Sequence, residues 1–294
     1  MNNIIETRKK IYRDFPKENL EVSLNDIVLA YKINDDDYNQ LVNNIKIFVI
    51  KSLNLVTNKN FIWTDTFLED NDELINNLPN KTPNGIINPK QETINEFNNI
   101  QISINKILKN LNLNKHIKSL AIFNLRYKSV NESQSAQDRP YYTSKYHSDA
   151  WVGHVGDSIF LFGALGDIDN NTVEFNEPIN VHDNYLDKAE SFDEGNTRYE
   201  GFEYLGTIKK QQLGVMDHAC LHRTLVKKNS KPRLSIDIAV MVDSEYSHSN
   251  DINFDNKAYQ YYPLNKIQSI GTDYKINVEE SIFDDRLTTT LTIE

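Results

Sequence analysis

The feature that most constrains the fold is the run Arg233–Met241, whose side chains alternate between polar and apolar from Arg233 to Ile238. Alternate residues of a β-strand point to opposite faces of its sheet, so this run predicts a strand with one apolar and one polar face. The apolar face would carry Leu234, Ile236 and Ile238, and the polar face would carry Arg233, Ser235 and Asp237. The apolar face of such a strand belongs in a hydrophobic core.

Other segments extend this pattern to a mainly β protein with a helical N-terminal part. Strand-like runs lie at 120–127, 158–163 and 203–209, separated by loops that contain Asn, Asp and Gly. Before them, a helix start at Asn34–Asp37 and a second run at 94–111 show apolar residues at helical spacing, which we interpret as scaffold. Many short strands after a helical part predict an antiparallel barrel or sandwich buttressed by helices.

We expect one domain over residues 1–294, with three parts. Residues 1–117 would form a helical N-terminal scaffold, and residues 118–243 a β-barrel core that carries the site. Residues 244–294 would form a C-terminal extension with a last strand at 287–293.

Composition excludes several classes of protein. Acidic residues number 42 and basic residues 32, so the formal net charge of −10 argues against a general nucleic-acid-binding role, although a local basic patch stays open. The single cysteine, Cys220, cannot form an internal disulfide or supply a four-cysteine zinc site. The first residues do not resemble a signal peptide, and the apolar run at 47–50 is too short for a bilayer. We therefore expect a cytoplasmic protein with no membrane partner.

A His-x-Asp pair indicates a metal site. On a strand, His147 and Asp149 would aim an imidazole and a carboxylate at one point. These are two of the three ligands of the facial triad that binds non-haem Fe(II) and leaves positions open for substrate and oxygen. Alone the motif is weak, and a surface pair on an edge strand explains it equally.

The second half of the chain strengthens the metal hypothesis. Ten residues separate His222 from Arg233, which opens an Arg-x-Ser sequence with Ser235. An arginine that points into a barrel needs a buried anionic partner, because an unpaired buried charge costs free energy. A dicarboxylate would satisfy this arginine by bidentate hydrogen bonding.

This combination resembles the Fe(II)/2-oxoglutarate-dependent dioxygenases: His-x-Asp, a distal His, and Arg-x-Ser ten residues later. The sequence HSDAWVG at 147–153, with 171–178 between the ligands, is similar to the phytanoyl-CoA-dioxygenase-like and small-molecule hydroxylase branches. The resemblance covers roughly residues 118–243. It implies a double-stranded β-helix, that is, a jelly-roll or cupin-like barrel.

The resemblance also implies roles for individual residues. His147, Asp149 and His222 would bind the iron, and Arg233, assisted by Ser235, would hold the far carboxylate of 2-oxoglutarate. His218 competes with His222, but only His222 has the ten-residue gap to Arg233, so we expect His218 to be a supporting neighbour. The implied reaction couples oxidative decarboxylation of 2-oxoglutarate by O2 to hydroxylation of a small polar metabolite. The carboxylate ligand disfavours halogenation.

Three further residues are candidates for substrate contact, each with a structural alternative. Arg126 could hold a substrate carboxylate or phosphate, or form a structural ion pair. Trp151 could form a pocket wall or anchor the core, and Asn171 could line the pocket or stabilise a turn. We expect His116 and His248 at the surface, and His154 and His182 to be solvent-facing or to belong to a substrate loop.

Two alternatives to this assignment remain open at the level of sequence. A cupin-like metal enzyme that does not use 2-oxoglutarate would share the barrel, but it would normally show His-x-His and a following Glu, and a Jumonji-type oxygenase would hold the cosubstrate from a lysine elsewhere. A non-catalytic β-barrel binding module would carry its His and Asp residues incidentally. The partner we expect is a small-molecule substrate; the oligomeric state is left open.

Overall fold

In the computed structural model of the chain, described for residues 4–130, 138–153, 156–247, 260–279 and 290–294, helices precede a series of antiparallel strands. The helices are α1 (Ile4–Lys9), α2 (Asp35–Thr57), α3 (Phe67–Asp70), α4 (Asp72–Asn76), α5 (Ile94–Asn110), α6 (Phe192–Gly195) and α7 (Leu264–Gln268), with 3-10 helices at Lys10–Tyr12, Gln91–Thr93, Leu113–His116 and Asp149–Val152. The strands are β1 (Leu20–Leu24), β2 (Val28–Lys32), β3 (Ile117–Ala121), β4 (Asn124–Lys128), β5 (Ser158–Gly166), β6 (Asn171–Ile179), β7 (Gly201–Thr207), β8 (Gln212–Asp217), β9 (Leu221–Val226), β10 (Arg233–Val242), β11 (Tyr261–Pro263), β12 (Ile276–Glu279) and β13 (Thr290–Ile293).

The larger sheet is antiparallel and has the order β1-β2-β8-β5-β10-β3-β11, with β4 also paired to β10. The smaller sheet has the order β7-β6-β9, and β12 and β13 form a separate pair. The prediction of a mainly β protein with additional helices is therefore confirmed. Among the described residues, no helix is both long and apolar enough to cross a membrane.

Strand β10 lies inside the larger sheet, and its two faces differ as its sequence predicts. Leu234, Ile236 and Ile238 are fully buried in the main hydrophobic cluster, which also contains the apolar faces of α2 and α5. The two helices meet through rings such as Phe48 and Phe97, whose centroids are 5.7 Å apart. The long helices thus cover one face of the sheet, and the polar residues of β10 face the other way.

The N-terminal part contributes strands as well as helices. Strands β1 and β2 form a hairpin that extends the larger sheet through β8. Four of the five residues of β2 are buried, so its sequence has no alternation that would distinguish a strand from a buried helix. The strand predicted at 120–127 is in fact two, β3 and β4, separated at residues 122–123. The strand predicted at 287–293 overlaps β13, and 287–289 lie outside the described residues.

Candidate metal centre

A pocket lies between the two sheets, on the polar face of β10. Strands β4, β5, β8 and β10 of the larger sheet line it, together with β6 and β9 of the smaller sheet. Two runs of the chain close the rest of its wall, the segment that contains Asn84 and the segment from Thr143 to Asp149. The three predicted metal ligands line this pocket together with Arg233 and Ser235.

Three side chains converge there. One donor atom from each of His147, Asp149 and His222 lies within 4.8 Å of the other two. The Nε2 atom of His222 is 3.7 Å from Oδ2 of Asp149, and the two imidazole centroids are 4.1 Å apart. Two imidazoles and one carboxylate form the donor set that suits a divalent transition metal with open coordination positions. The residues present therefore fit such an ion.

The local backbone differs from the predicted strand. His147 forms only an isolated bridge with His222, in which each backbone N–H donates to the other residue's carbonyl over 2.9 Å. Asp149 is the first residue of the following 3-10 helix. The prediction that both ligands lie on one regular strand is thus wrong. A strand bridge and a helical turn bring the two side chains together instead.

Backbone carbonyls orient both imidazoles. Nδ1 of His147 lies 2.8 Å from the carbonyl oxygen of Lys145, and Nδ1 of His222 lies 3.3 Å from that of Cys220. A carbonyl oxygen only accepts hydrogen bonds, so each Nδ1 carries the proton in the neutral ring. The lone pair is then on Nε2, which is the arrangement typical of metal-ligating histidines.

Burial keeps His147 neutral. Its pKa falls to about 3, because burial and the neighbouring His222 disfavour the charged ring more than Asp149 favours it. The imidazole also stacks on Phe192 of α6, with centroids 4.1 Å apart. A neutral, fixed imidazole is the form that binds metals.

Asp149 is positioned by the residues on either side of it. The Ser148 side chain accepts from the Ala150 N–H and donates to the His218 carbonyl over 2.7 Å, which fixes the start of the 3-10 helix. Trp151 in the same helix is fully buried, and its Nε1 donates to the Tyr185 carbonyl over 2.7 Å. The carboxylate therefore projects from a turn that is anchored in the core.

Arg233 is the other charged group of the pocket. It is 5% exposed, and no described residue accepts a hydrogen bond from its Nε. Burial and the nearby Arg126 cation lower its pKa to about 10. Ser235 follows on the same face of β10 and also lines the pocket. A buried guanidinium with an unsatisfied N–H is costly unless an anion binds there.

Arg126 lies across the ladder from Ser235 and lines the same pocket. Its Nε and Nη2 donate to the carboxylate of Asp237, which also accepts from Asn124 over 2.9 Å. Nη1 of Arg126 donates to the Asn84 carbonyl over 3.2 Å. Arg126 thus forms the structural ion pair that one sequence interpretation predicts, and it also lines the pocket.

The other two predicted substrate residues lie outside the pocket lining. Trp151 belongs to the core, as the structural alternative predicts. Asn171 is fully buried, and its Nδ2 donates to the carbonyls of Lys128 and Lys231. It therefore joins β4 to the turn before β10, which is a structural role that the sequence could not distinguish from a binding role.

The other histidines among the described residues, and the cysteine, do not line the pocket. His218 is buried in the turn after β8, with Nδ1 3.3 Å from Nη2 of Arg8. His182 is exposed, whereas His116 is partly buried and stacks on Phe15. Cys220 is a fully buried core residue whose pKa is raised by burial. The surface predictions for His154 and His248 lie outside the described residues.

Sequence reasoning missed one charged pocket residue. Lys128 lies two residues after Arg126 on β4, and both face the pocket. The same period-2 argument that places Arg126 would have placed Lys128. The strand predicted from the sequence, 120–127, ends one residue before it.

No protein-family model and no curated protein matches the chain. Several solved structures are similar to it. One is the crystal structure of the non-haem alpha-ketoglutarate-dependent epimerase SnoN from nogalamycin biosynthesis, with TM-score 0.40, 10% identity, and coverage of 81% of this chain and 82% of that chain. Another is the non-haem alpha-ketoglutarate-dependent carbocyclase SnoK from the same biosynthesis, with TM-score 0.36, 8% identity, and coverage of 80% and 82%.

A third similar structure is the non-haem monooxygenase ThoJ in its apo form, with TM-score 0.34, 12% identity, and coverage of 71% of each chain. At these scores and identities, the likeness establishes neither a family nor an activity for this chain. The three similar structures are non-haem enzymes, and the first two are alpha-ketoglutarate dependent.

Proposed function

We propose that the chain is a non-haem iron dioxygenase that uses 2-oxoglutarate and O2 to hydroxylate a small polar metabolite. One observation carries the proposal. The buried Arg233, with its unsatisfied Nε, shares a pocket with the grouped donor atoms of His147, Asp149 and His222. A dicarboxylate that reaches from a metal to a buried guanidinium would satisfy both.

The residues fit the proposed groups in a simple way. His147 and His222 would bind Fe(II) through Nε2, and Asp149 through its carboxylate. Bound there, iron and 2-oxoglutarate would supply the activation of O2 for oxidation of a C–H bond, with release of succinate and CO2. The chain itself contributes binding, orientation and exclusion of water.

The pocket wall holds and shields the cosubstrate. Arg233 would bind the far carboxylate by bidentate hydrogen bonds, with the Ser235 hydroxyl beside it on the same strand face. Apolar side chains of Ile159, Leu161 and Met216 line the pocket between the polar groups. An apolar wall around a buried ion pair excludes water and strengthens the attraction between the charges.

We further propose that the two sheets form a double-stranded β-helix, with the pocket between them. Support comes from the antiparallel pairing of both sheets and from the lining residues that each contributes. In this proposal residues 1–294 form one oxygenase domain, residues 1–117 and 244–294 support the core at 118–243, and the hairpin β1–β2 belongs to the barrel. Hydroxylation is favoured over halogenation because Asp149 supplies a carboxylate ligand.

An anaerobic titration tests the proposal. Fe(II) is added to the apo protein, then 2-oxoglutarate, and the visible charge-transfer band of the chelate is followed. We expect a band that weakens or disappears in Arg233→Ala. Iron binding without a band would favour a cupin-like enzyme that does not use 2-oxoglutarate. Absence of metal binding would favour a non-catalytic binding module.

The distal ligand is tested separately. His222→Ala should abolish tight Fe(II) binding, and His218→Ala should retain it, because His218 faces Arg8 rather than the pocket. The reverse result would show that the distal ligand is misassigned. Circular dichroism of both variants controls for folding, since both histidines are buried.

A further inference from the structure

One wall of the pocket concentrates positive charge. In the antiparallel pairing of β4 with β10, Arg233 lies opposite Lys128, and Ser235 lies opposite Arg126. All four residues line the pocket, while Leu234, which lies between Arg233 and Ser235, packs in the core. Three cations therefore share one face of two neighbouring strands in a protein whose formal net charge is −10.

This arrangement has an electrostatic cost. Like charges directly opposite each other in a β-ladder are destabilising. Asp237 is the acidic side chain of this wall, and its carboxylate accepts from Arg126. Burial lowers the pKa of Arg233, and the neighbouring charge of Arg126 lowers it further, as expected for two cations on adjacent strands. Bound anions would offset this repulsion.

A further cation, Arg139, lies near Lys128 at the edge of the pocket. Nζ of Lys128 lies 5.6 Å from the centroid of the Tyr142 ring, and the guanidinium of Arg139 lies 5.9 Å from the same ring. Arg139 donates to the Asn84 side chain over 3.0 Å, and Asn84 lines the pocket. The positive wall thus continues from the interior to the mouth.

Under the proposed function, the cosubstrate accounts for only one of these cations. Its near carboxylate would be at the metal and its far carboxylate at Arg233. Lys128 and Arg126 would still face the remaining space, where the substrate must lie. Arg126 is held in orientation by Asp237, so its guanidinium is preorganised, and Lys128 adds an ammonium charge on the same strand face.

We propose that the substrate carries an oxyanion, a carboxylate or a phosphate, which Lys128 and Arg126 bind at the pocket wall. The proposal rests on the proposed function, and it narrows the substrate from a small polar metabolite to an anionic one. Lys128 becomes the residue that determines specificity for charge. The chemistry recognised is the oxyanion itself, so a neutral analogue of equal shape should bind poorly.

Small methylated probes test this without knowledge of the substrate. The protein is loaded with Co(II) and 2-oxoglutarate, and the paramagnetic relaxation of probe methyl protons is measured for acetate, methylphosphonate and acetamide. Acetate and acetamide have nearly the same shape and differ in charge. We expect relaxation of an oxyanion probe and little of acetamide. If acetate shows the stronger relaxation, the substrate group is a carboxylate. If methylphosphonate does, it is a phosphate.

Variants of Lys128 test whether this residue binds the oxyanion probe. Lys128→Met should weaken binding of the oxyanion probe about tenfold, the usual effect of losing one charge-assisted hydrogen bond, and Lys128→Arg should restore part of it. Lys227→Met is the matched control, because that exposed lysine donates to the Asp169 carbonyl outside the pocket. Binding of 2-oxoglutarate should change in Arg233→Ala and remain unchanged in Lys128→Met.

Three results would overturn the proposal: equal relaxation of acetate and acetamide, equal oxyanion binding in Lys128→Met and wild type, or loss of 2-oxoglutarate affinity in Lys128→Met. The last would assign Lys128 to the cosubstrate. Calorimetry of metal and 2-oxoglutarate binding on the same samples reports the proposed function separately. If neither binds, saturation-transfer NMR of the same probes and variants on the metal-free protein still decides whether the oxyanion site exists.

Discussion

Arg233 lies in a position that lowers the stability of the protein without bound ligand. It is buried in the pocket, and its Nε lacks a hydrogen-bond partner among the described residues. Burial removes the hydrogen bonds that this charged group would make to water. Because no protein acceptor replaces the one at Nε, burial of the group lowers the stability of the folded state. Such a residue is expected where an anionic ligand, absent from the apo protein, completes the interaction.

Replacing this arginine should therefore change stability and affinity in opposite directions. We expect Arg233→Met to raise the free energy of unfolding of the apo protein by about 1–3 kcal/mol, because it removes an unsatisfied buried cation. The same change should weaken 2-oxoglutarate binding roughly 100-fold. Urea unfolding and the anaerobic titration measure the two effects.

Lys231→Met is the control for this comparison, because Lys231 is exposed and pairs with Glu69. It should leave both quantities nearly unchanged. If Arg233→Met instead destabilises the apo protein, the guanidinium has an internal partner and the argument for a ligand loses its basis.

At the scale of elements, the short helix α6 packs against the turn that carries Asp149. A Cβ on Gly195, its last residue, would overlap the Trp151 ring. Trp151 belongs to the 3-10 helix that begins at Asp149. The close approach of backbone to indole is therefore coupled to the carboxylate of the candidate metal centre.

Gly195→Ala should displace the indole and the turn that carries Asp149. We expect a loss of about 1–3 kcal/mol in the free energy of unfolding, which is the usual cost of overpacking, together with weaker Fe(II) binding. Gly201→Ala is the matched control, since a Cβ there would meet nothing within 4 Å. Equal behaviour of the two variants in calorimetric metal titrations would refute the coupling.

A second element-scale contact joins the start of α2 to the end of α5. Asp37 is 3% exposed and accepts hydrogen bonds from Asn110 and Asn34, each over 2.6 Å, and pairs with Lys106 at 2.9 Å. Burial raises the pKa of this carboxyl, but its three partners together lower it below the ordinary value of 3.8. The folded protein thus favours the ionised form.

Asp37→Asn should cost about 1–2 kcal/mol of stability at neutral pH, because it removes the charge from these hydrogen bonds. A lowered pKa contributes stability above the ordinary value, and that contribution is lost as the pH falls through the folded-state pKa. The difference between wild type and variant should therefore close in acid. Asp36→Asn, an exposed change in the same helical turn, should show no such difference at any pH in urea unfolding.

At the scale of the whole molecule, the N-terminal helix is tied to the sheet by a buried ion network. Arg8 of α1 is 3% exposed and lies 3.0 Å from Asp217 at the end of β8 and 3.4 Å from Asp157 before β5. The Tyr12 hydroxyl also donates to Asp217, over 2.8 Å. Residues more than 140 positions apart in sequence thus share one charge cluster.

Arg8→Met would leave two buried carboxylates without their cation. We expect it to lower the free energy of unfolding by about 3–5 kcal/mol, which is typical when one partner of a buried pair is removed. Arg13→Met, at an exposed position nearby, should change it by less than about 0.5 kcal/mol. Similar urea midpoints for the two variants would show that the network contributes little.

The sequence alone determined the elements whose pattern is local. The alternation of β10 predicted both of its faces, and Asn34 was correctly placed at the start of α2, where its side chain accepts from the Asp37 N–H. His147, Asp149, His222 and Arg233 were grouped by the family resemblance, and all four line one pocket. Periodicity and capping are properties of neighbouring residues, so they are visible without the fold.

Only the tertiary structure decided what lies around that set. It placed Trp151 and Asn171 in structural roles, turned His218 toward Arg8, and added Lys128 to the pocket wall. It also made β2 a strand, since a run buried on both faces has no distinguishing period. These outcomes depend on which strands pair and on which backbone carbonyls reach each side chain. Such contacts join residues far apart in the chain, and a pattern in one segment does not contain them.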